Sequence, residues 1–233
     1  LKIPYTCCDS ETSRITFNKS ICNQKLKNLG FKCAESYTYY KGDKINNDLV
    51  LNKIGLPCFI KPSSSGSSFG VSKVKSVKDI NFAVSKALQY SDDVLIEEFL
   101  DGIEVSCGVF SKQKNKKEIQ NIVALPITEI ISKNDFFDYE AKYQGQSEEI
   151  TPARITQDLT NKIQQLTKKI YKLMKLEGIC RIDFMIVEKI PYVIEINTIP
   201  GFSQESIIPK QINEAGYKLS EIFDFCIVKS MNK

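Results

Sequence analysis

Two short runs, ICRIDFMIV at residues 179–187 and YVIEIN at residues 192–197, carry Arg181, Asp183, Glu195 and Asn197 at alternate positions. Residues two apart on a strand share a face. Read as neighbouring strands, the runs project these four polar side chains from one side and turn Ile182, Phe184, Ile194 and Ile196 into a core. A guanidinium, an amide and two carboxylates are costly to crowd together. Magnesium accounts for the crowding, because it takes hard oxygen ligands, commonly one or two carboxylates plus nucleotide phosphates. Asp183, Glu195 and Asn197 are then the candidate ligands, and Arg181 a group that stabilises a transferring phosphoryl. A structural salt-bridge ladder on an exposed sheet face has the same pattern.

Upstream, KPSSSGSSFG at residues 61–70 joins a predicted strand at 57–61 to another at 71–74. Small residues free the backbone to wrap an anion, and Lys61 directly before the run favours phosphate. The ending and following helix of a Walker loop are missing; a flexible turn is the competing reading. Glu97 and Glu98 close a predicted strand at 94–98, and Glu104 follows the turn at Leu100-Asp101-Gly102. Carboxylates there suit an adenine amino group and a ribose hydroxyl, and equally suit solvated charge. Residues 132–151 read as a long loop, of the kind that is usually functional or disordered. It holds FFDYEAKY at 136–143, either a lid that excludes water from phosphates or an aromatic anchor. Just past Asn197, Gly201 offers a backbone N–H as an oxyanion donor. Ser206 is placed to cap the next short helix or to bind a carboxylate.

The rest of the chain supplies a frame. Helices are predicted over 18–29, stopped by Gly30, over 77–89, over 156–176 with Leu159, Ile163, Leu166, Ile170 and Leu173 on one stripe, and over 219–231. Further strands are predicted at 105–110, 119–125 and 127–130. Helix–strand pairs followed by a strand-rich part imply an α+β fold of two lobes, with a cleft between them. We place the lobes at 1–98 and 99–233.

Composition removes other chemistries. With no His and no C-x-x-C pair among eight Cys, zinc loses its usual ligands and spacing. Ser-His-Asp and Cys-His catalysis go with the histidine. Cys58, Cys107 and Cys180 lie in apolar runs, where a thiol behaves as a small hydrophobe, as expected of reduced thiols in a cytoplasmic protein. Lys112, Lys114, Lys116 and Lys117 read as a solvated hairpin tip, and no aromatic interleaving suits nucleic acid. No apolar stretch is long enough for a membrane span. The chain begins at Leu1 with no initiator Met, which reads as a processed or truncated piece.

Together these segments resemble the D-alanine–D-alanine ligase family of the ATP-grasp superfamily. IPYT at 3–6, NK at 18–19, KPSSSGSSFGVSKV at 61–74, IEEFLDGIE at 96–104, FFDYEAKY at 136–143, PARI at 152–155, RIDF at 181–184 and EINTIPGFS at 195–203 occur in the family's order. The resemblance implies an ATP-grasp fold with ATP held between antiparallel sheets. It implies that Lys19 and Lys61 hold ATP phosphates with the loop at Ser68, and that Lys142 is the lid lysine. Glu97 matches the adenine-side carboxylate and Glu104 the ribose-binding one, Phe136 and Met185 resemble adenine-pocket residues, and Glu98 and Leu100 fall among the ATP-binding positions. Asp183, Glu195 and Asn197 match ligands of two magnesium ions, for which manganese can substitute. Arg181 and the Gly201 N–H match the groups that stabilise the acyl phosphate and tetrahedral states, and Ser206 the one that binds the second D-alanine's carboxylate.

Ser67 and Tyr143 match two members of a hydrogen-bonded group near the substrates; Tyr143 favours D-alanine over depsipeptide formation. Phe69 stands where the family commonly has Val. In the family, IPYT follows a complete N-terminal domain that supplies a Glu to the first D-alanine and much of a homodimer contact; here IPYT starts at residue 3, so that domain is expected to be absent. The competing readings are an ATP-grasp ligase for another amino-acid pair and a nucleotide-binding module without ligase activity.

Overall fold

The structure, a computed structural model, describes residues 3–112, 121–132 and 147–232, without the side chains of residues 132 and 147. Helix α1 (Ser10–Phe17) starts at Asp9, whose carboxylate accepts from the Thr12 N–H at 2.7 Å. Helix α2 (Lys19–Asn28) follows at once, capped by Asn18, which accepts from the Ile21 N–H at 2.9 Å, and ends before Gly30 at φ 82°. A small sheet comes next. Its strands β1 (Ser36–Tyr40), β2 (Cys58–Pro62), β3 (Ser72–Val74) and β4 (Asp93–Glu98) run antiparallel in the order β1-β4-β2-β3. Helices α3 (Asn47–Lys53) and α4 (Val77–Ala87) bury Val50, Ile80 and Val84 with Ile60 and Ile96 of the sheet. The predicted helix over 77–89 is α4.

The larger sheet holds β5 (Ile103–Ser111), β6 (Ile122–Ser132), β7 (Ser147–Ile150), β8 (Cys180–Val187) and β9 (Ile190–Asn197), antiparallel in the order β7-β6-β5-β8-β9. Helix α5 (Gln157–Leu173) packs on it, and α6 (Ile207–Glu214) and α7 (Leu219–Met231) close the chain. Although α1 and α2 precede the small sheet in the chain, Cys8, Cys22, Leu26 and Phe31 share a core with Val105, Ile182 and Phe184 of the large one. The α+β fold with two antiparallel sheets is the one expected.

Several boundaries differ from the sequence reading for local reasons. The strands predicted at 119–125 and 127–130 are one strand, β6, with residues 119 and 120 outside the described residues. Pro126 lacks an N–H, yet it does not break the strand, because Cys107 faces Ile127 while Val109 faces Ala124. Two residues, Leu125 and Pro126, thus oppose Gly108 in a bulge. The loop predicted at 132–151 ends in β7, and residues 133–146 lie outside the described residues. On α5, Ile163 and Ile170 are buried, but Leu173 is 40% exposed and Tyr171 and Met174 take the core instead. A 3.6-residue period carries position 173 to the flank of that face. The sequence reading missed α1, β1 and α3.

The described cysteines are free thiols, and Cys58, Cys107 and Cys180 are fully buried. Burial pushes the Cys58 thiol up to about 11 and the Cys107 thiol up to about 12, so both stay protonated. Among the described residues no helix is long and apolar enough to cross a membrane.

Candidate active site

A cavity of about 620 Å³ opens between the sheets. The small sheet contributes Lys61 and Glu97, the turn after it Leu100, and the large sheet Glu104, Asp183, Met185, Glu195 and Asn197. Lys19, at the start of α2, and the loop with Ser67 and Ser68 complete the wall.

The acidic side comes from the register of the large sheet. Asp183 faces Glu195, and Arg181 faces Asn197, across β8 and β9. Asp183 is only 4% exposed, and four bonds satisfy its carboxylate. Ser106 donates to Oδ1 at 2.6 Å, Arg181 donates through Nε to Oδ1 at 2.9 Å and through Nη2 to Oδ2 at 2.8 Å, and the Asn197 Nδ2 donates to Oδ2 at 2.9 Å. Burial works against the Arg181 charge, but Asp183, with Glu195 and Glu104 behind it, raises its pKa above the ordinary arginine value.

The Asn197 Nδ2 also reaches Glu195 Oε1 at 3.2 Å, so the positive end of an amide lies between two carboxylates. Turned end for end, the same amide presents Oδ1 there, and three hard oxygens converge. No group of three or more Asp, Glu or Cys side chains suited to a metal occurs among the described residues. Two carboxylates plus one amide instead suit magnesium, which completes its shell with water and phosphate.

The opposite wall is cationic and backbone-rich. Lys61 Nζ pairs with Glu97 Oε1, and both side chains are largely buried. Lys19 Nζ donates to the Ser65 carbonyl at 2.6 Å, and its N–H to the Ser63 carbonyl at 2.8 Å, which ties α2 to the loop. Ser67 and Ser68 sit at φ 49° and 59°, a left-handed conformation uncommon outside glycine, and Gly70 at φ 75°. Such consecutive turns aim backbone N–H groups into a concavity suited to anions. The Phe69 ring, itself exposed, stacks on Tyr90 with centroids 6.2 Å apart.

Thus Lys19, Lys61, Ser67, Ser68, Glu97, Glu98, Leu100, Glu104, Asp183, Met185, Glu195 and Asn197 meet around one cavity. Glu98 also has a structural task, since its Oε1 accepts from the Glu35 N–H at 2.8 Å. Arg181, its side chain 21% exposed, stands beside the cavity and holds Asp183 through two bonds. Gly201 and Ser206 lie together past β9, where a Cβ on Gly201 would stand 3.0 Å from Ser206 Oγ. Ser206 occupies the N-cap position of α6 but makes no side-chain cap bond; its hydroxyl pairs with Ser203 at 2.8 Å. Phe136, Lys142 and Tyr143 lie outside the described residues, as do Lys114, Lys116 and Lys117.

One orientation needs correction. Ile194 was expected in the core with Ile182, Phe184 and Ile196, but Phe184 faces Val193, so Ile194 is the extra residue of a bulge and lines the cavity, half-buried. The bulge lets β9 present Glu195 opposite Asp183. Sequence reasoning also missed Phe59, Phe99 and Glu129 on the cavity wall. Glu129 carries the one signal that was available, an acid inside an apolar strand, and it is held by the Arg154 guanidinium at 2.8 and 2.9 Å.

A family model described as D-ala D-ala ligase C-terminus matches residues 25–228. The D-alanine–D-alanine ligase of Flavobacterium johnsoniae is 48% identical over 229 residues, 98% of this chain and 69% of that protein. Among solved structures, the ATP complex of D-alanine–D-alanine ligase from Bacillus anthracis superposes with a TM-score of 0.81 at 29% identity, over 98% of this chain and 71% of that one. The VanG D-Ala:D-Ser ligase from Enterococcus faecalis does so with a TM-score of 0.80 at 29% identity, over 97% of this chain and 64% of that one. The chain belongs to the D-alanine–D-alanine ligase family of ATP-dependent carbon–nitrogen ligases, and it corresponds to that family's C-terminal, ATP-grasp region.

Proposed function

We propose that the chain is the catalytic, nucleotide-binding part of an ATP-dependent ligase that joins two D-alanines for peptidoglycan precursor synthesis in the cytoplasm. The observation that carries this reading is the pairing of Asp183 with Glu195 across β8 and β9, with the Asn197 amide between them, facing Lys61 and Lys19 across the cavity. In this reading Lys19, Lys61 and the loop at Ser67 and Ser68 grip the ATP phosphates. Glu97, Glu98, Leu100, Glu104 and Met185, with Phe136, receive the nucleoside. Asp183, Glu195 and Asn197 hold magnesium, which when bound neutralises charge on the phosphates.

A D-alanine carboxylate oxygen attacks the γ-phosphorus, and ADP leaves. The amine of the second D-alanine then attacks the carbonyl carbon of the acyl phosphate, loses a proton, and inorganic phosphate departs. Arg181 and the Gly201 N–H stabilise charge on the transferring phosphoryl and the tetrahedral oxygen, Ser206 binds the second carboxylate, and Lys142 and Tyr143 act from the lid. Ser67 positions the substrates with Tyr143.

The test is phosphate release and dipeptide formation from ATP, magnesium and D-alanine, with D-serine and D-lactate as competing acceptors. D-alanyl-D-alanine as the fastest product is the expected result. Faster use of D-serine, the acceptor named for the Enterococcus faecalis relative, would reassign the amino-acid pair. Stabilisation by ATP, about 2.7 kcal/mol at a hundredfold excess over Kd, without any product would reduce the chain to a nucleotide-binding module. A folded chain that binds no ATP would sink the reading.

A further inference from the structure

The metal-side carboxylates belong to a longer row. Thr128 faces Ser106 across β6 and β5, Ser106 faces Asp183 across β5 and β8, and Asp183 faces Glu195 across β8 and β9. Directly opposed residues share a face, so four polar side chains cross four strands in one line. The inner three are shut away from solvent: Thr128 and Ser106 are fully buried and Asp183 is 4% exposed. Polar groups so buried are costly unless every one is bonded. Asp183 takes its bonds from Ser106, Arg181 and Asn197, and a side chain from outside the sheet bonds Thr128 and the Ser106 carbonyl.

That side chain is Gln211, on the buried face of α6 and fully buried itself. Its Oε1 accepts from the Gly108 N–H at 2.9 Å, and its Nε2 donates to the Ser106 carbonyl at 2.8 Å and to Thr128 Oγ1 at 3.0 Å. Gly108 is the residue opposite the Leu125–Pro126 bulge, and a Cβ there would come within 2.6 Å of Gln211 Oε1. Ile208 and Ile212, one turn apart on the same helix and fully or almost fully buried, keep α6 from shifting. The Ser106 backbone is therefore held by α6, and its hydroxyl donates to Asp183 Oδ1 at 2.6 Å.

We propose that Ser106 and Gln211 are positioning residues for the divalent cation: Gln211 locks Ser106, and Ser106 orients the Asp183 carboxylate for it. The inference rests on the proposed metal site at Asp183, Glu195 and Asn197. A ligating carboxylate is held in place by the bonds on its outer side, and losing such a partner typically weakens metal affinity by about 10–100-fold. Ser106 touches no substrate in this role. Because Gln211 lies on the helix that Ser206 begins, the same bonds fix the metal ligand relative to the acceptor end of the site.

The experiment measures Mn2+ binding to the whole chain in the presence of ADP, by the loss of the free-ion electron paramagnetic resonance signal. Metal-free ADP affinity and melting temperature are followed in parallel. Ser106→Ala and Gln211→Met are expected to weaken Mn2+ by about 10–100-fold with metal-free ADP affinity unchanged. Thr128→Val is the control. It removes an equally buried hydroxyl that bonds Gln211 and Thr151 but has no bond to Asp183, so its Mn2+ affinity should stay within threefold of the parent. Parent-like affinity in Ser106→Ala overturns the inference, as does an equal loss in Thr128→Val, which would mean general loosening. If the parent chain itself binds no Mn2+ with ADP, the metal reading fails rather than the relay alone.

Discussion

The two sheets face one cavity but prepare it in opposite ways. The large sheet offers side chains fixed by register: Asp183 takes four bonds, and its neighbours across β5 and β9 are set by strand pairing. The small sheet offers one ion pair, Lys61 with Glu97, and then a loop whose geometry lies in its backbone, with Ser67, Ser68 and Gly70 all at positive φ. A sheet is stiff across its strands, so it suits ligands whose spacing must not vary. A loop of small residues lets N–H groups converge on a larger anion, at a cost of about 1–3 kcal/mol per strained residue.

The contrast is broken most severely on the large sheet. Glu195→Gln should lower turnover by about 10³-fold or more, roughly 4 kcal/mol of barrier, while the melting temperature stays near that of the parent. Asp183→Asn should lower turnover as far and also destabilise the chain, because Arg181 then lies buried without its carboxylate, a loss of about 3–5 kcal/mol. Melting curves beside steady-state rates separate the two; equal melting temperatures would show that Asp183 does not hold Arg181.

On the small sheet the sharper test is Gly70→Ala. The position has φ 75°, and a Cβ would stand 2.7 Å from Pro62 Cγ and Tyr90 Cδ2. The loop must then rearrange, and ATP affinity should fall by about tenfold, about 1.4 kcal/mol, with Mn2+ affinity in the absence of nucleotide unchanged. Calorimetric titration reads both, and an unaltered ATP affinity would show that the loop's backbone shape does not matter for the phosphates.

The smallest effect is expected at Glu129, on the cavity wall. Hydrogen bonds from the Arg154 guanidinium hold its carboxyl below the ordinary glutamate range, against the opposing effect of burial. A depressed folded-state pKa contributes stability that is present above the unfolded value, near 4.3, and is lost as pH falls through the folded value. Melting temperature should therefore drop more steeply below about pH 4 in the parent than in Glu129→Gln, by no more than a few degrees because Arg154 is solvent-exposed. Identical acid limbs would remove the pair from the stability account.

Much of this was legible beforehand where local rules act alone. The alternation around Asp183 and Glu195 gave two strands and one shared face, Asn18 and Gly30 bounded α2, and the Lys61–Gly70 run marked the connection between β2 and β3. Ile194 could not be read, because a bulge adds one residue and reverses the face of what precedes it. Pro126 misled in the other direction: it reads as a strand break until the partner strand, through Gly108, is seen to absorb it.

From the sequence alone came the candidate residues for phosphate and magnesium, the family they resemble, and the α+β class, since composition, period and order of motifs are properties of the chain itself. Only the tertiary structure decided that Glu97 pairs with Lys61, that Arg181 holds Asp183 through two bonds, and that Ser106 and Gln211 stand behind Asp183. Those contacts join residues between 36 and 105 positions apart, or depend on which way a carboxylate turns. No local pattern encodes them; packing does, because a buried polar group must find its partner wherever the fold brings one.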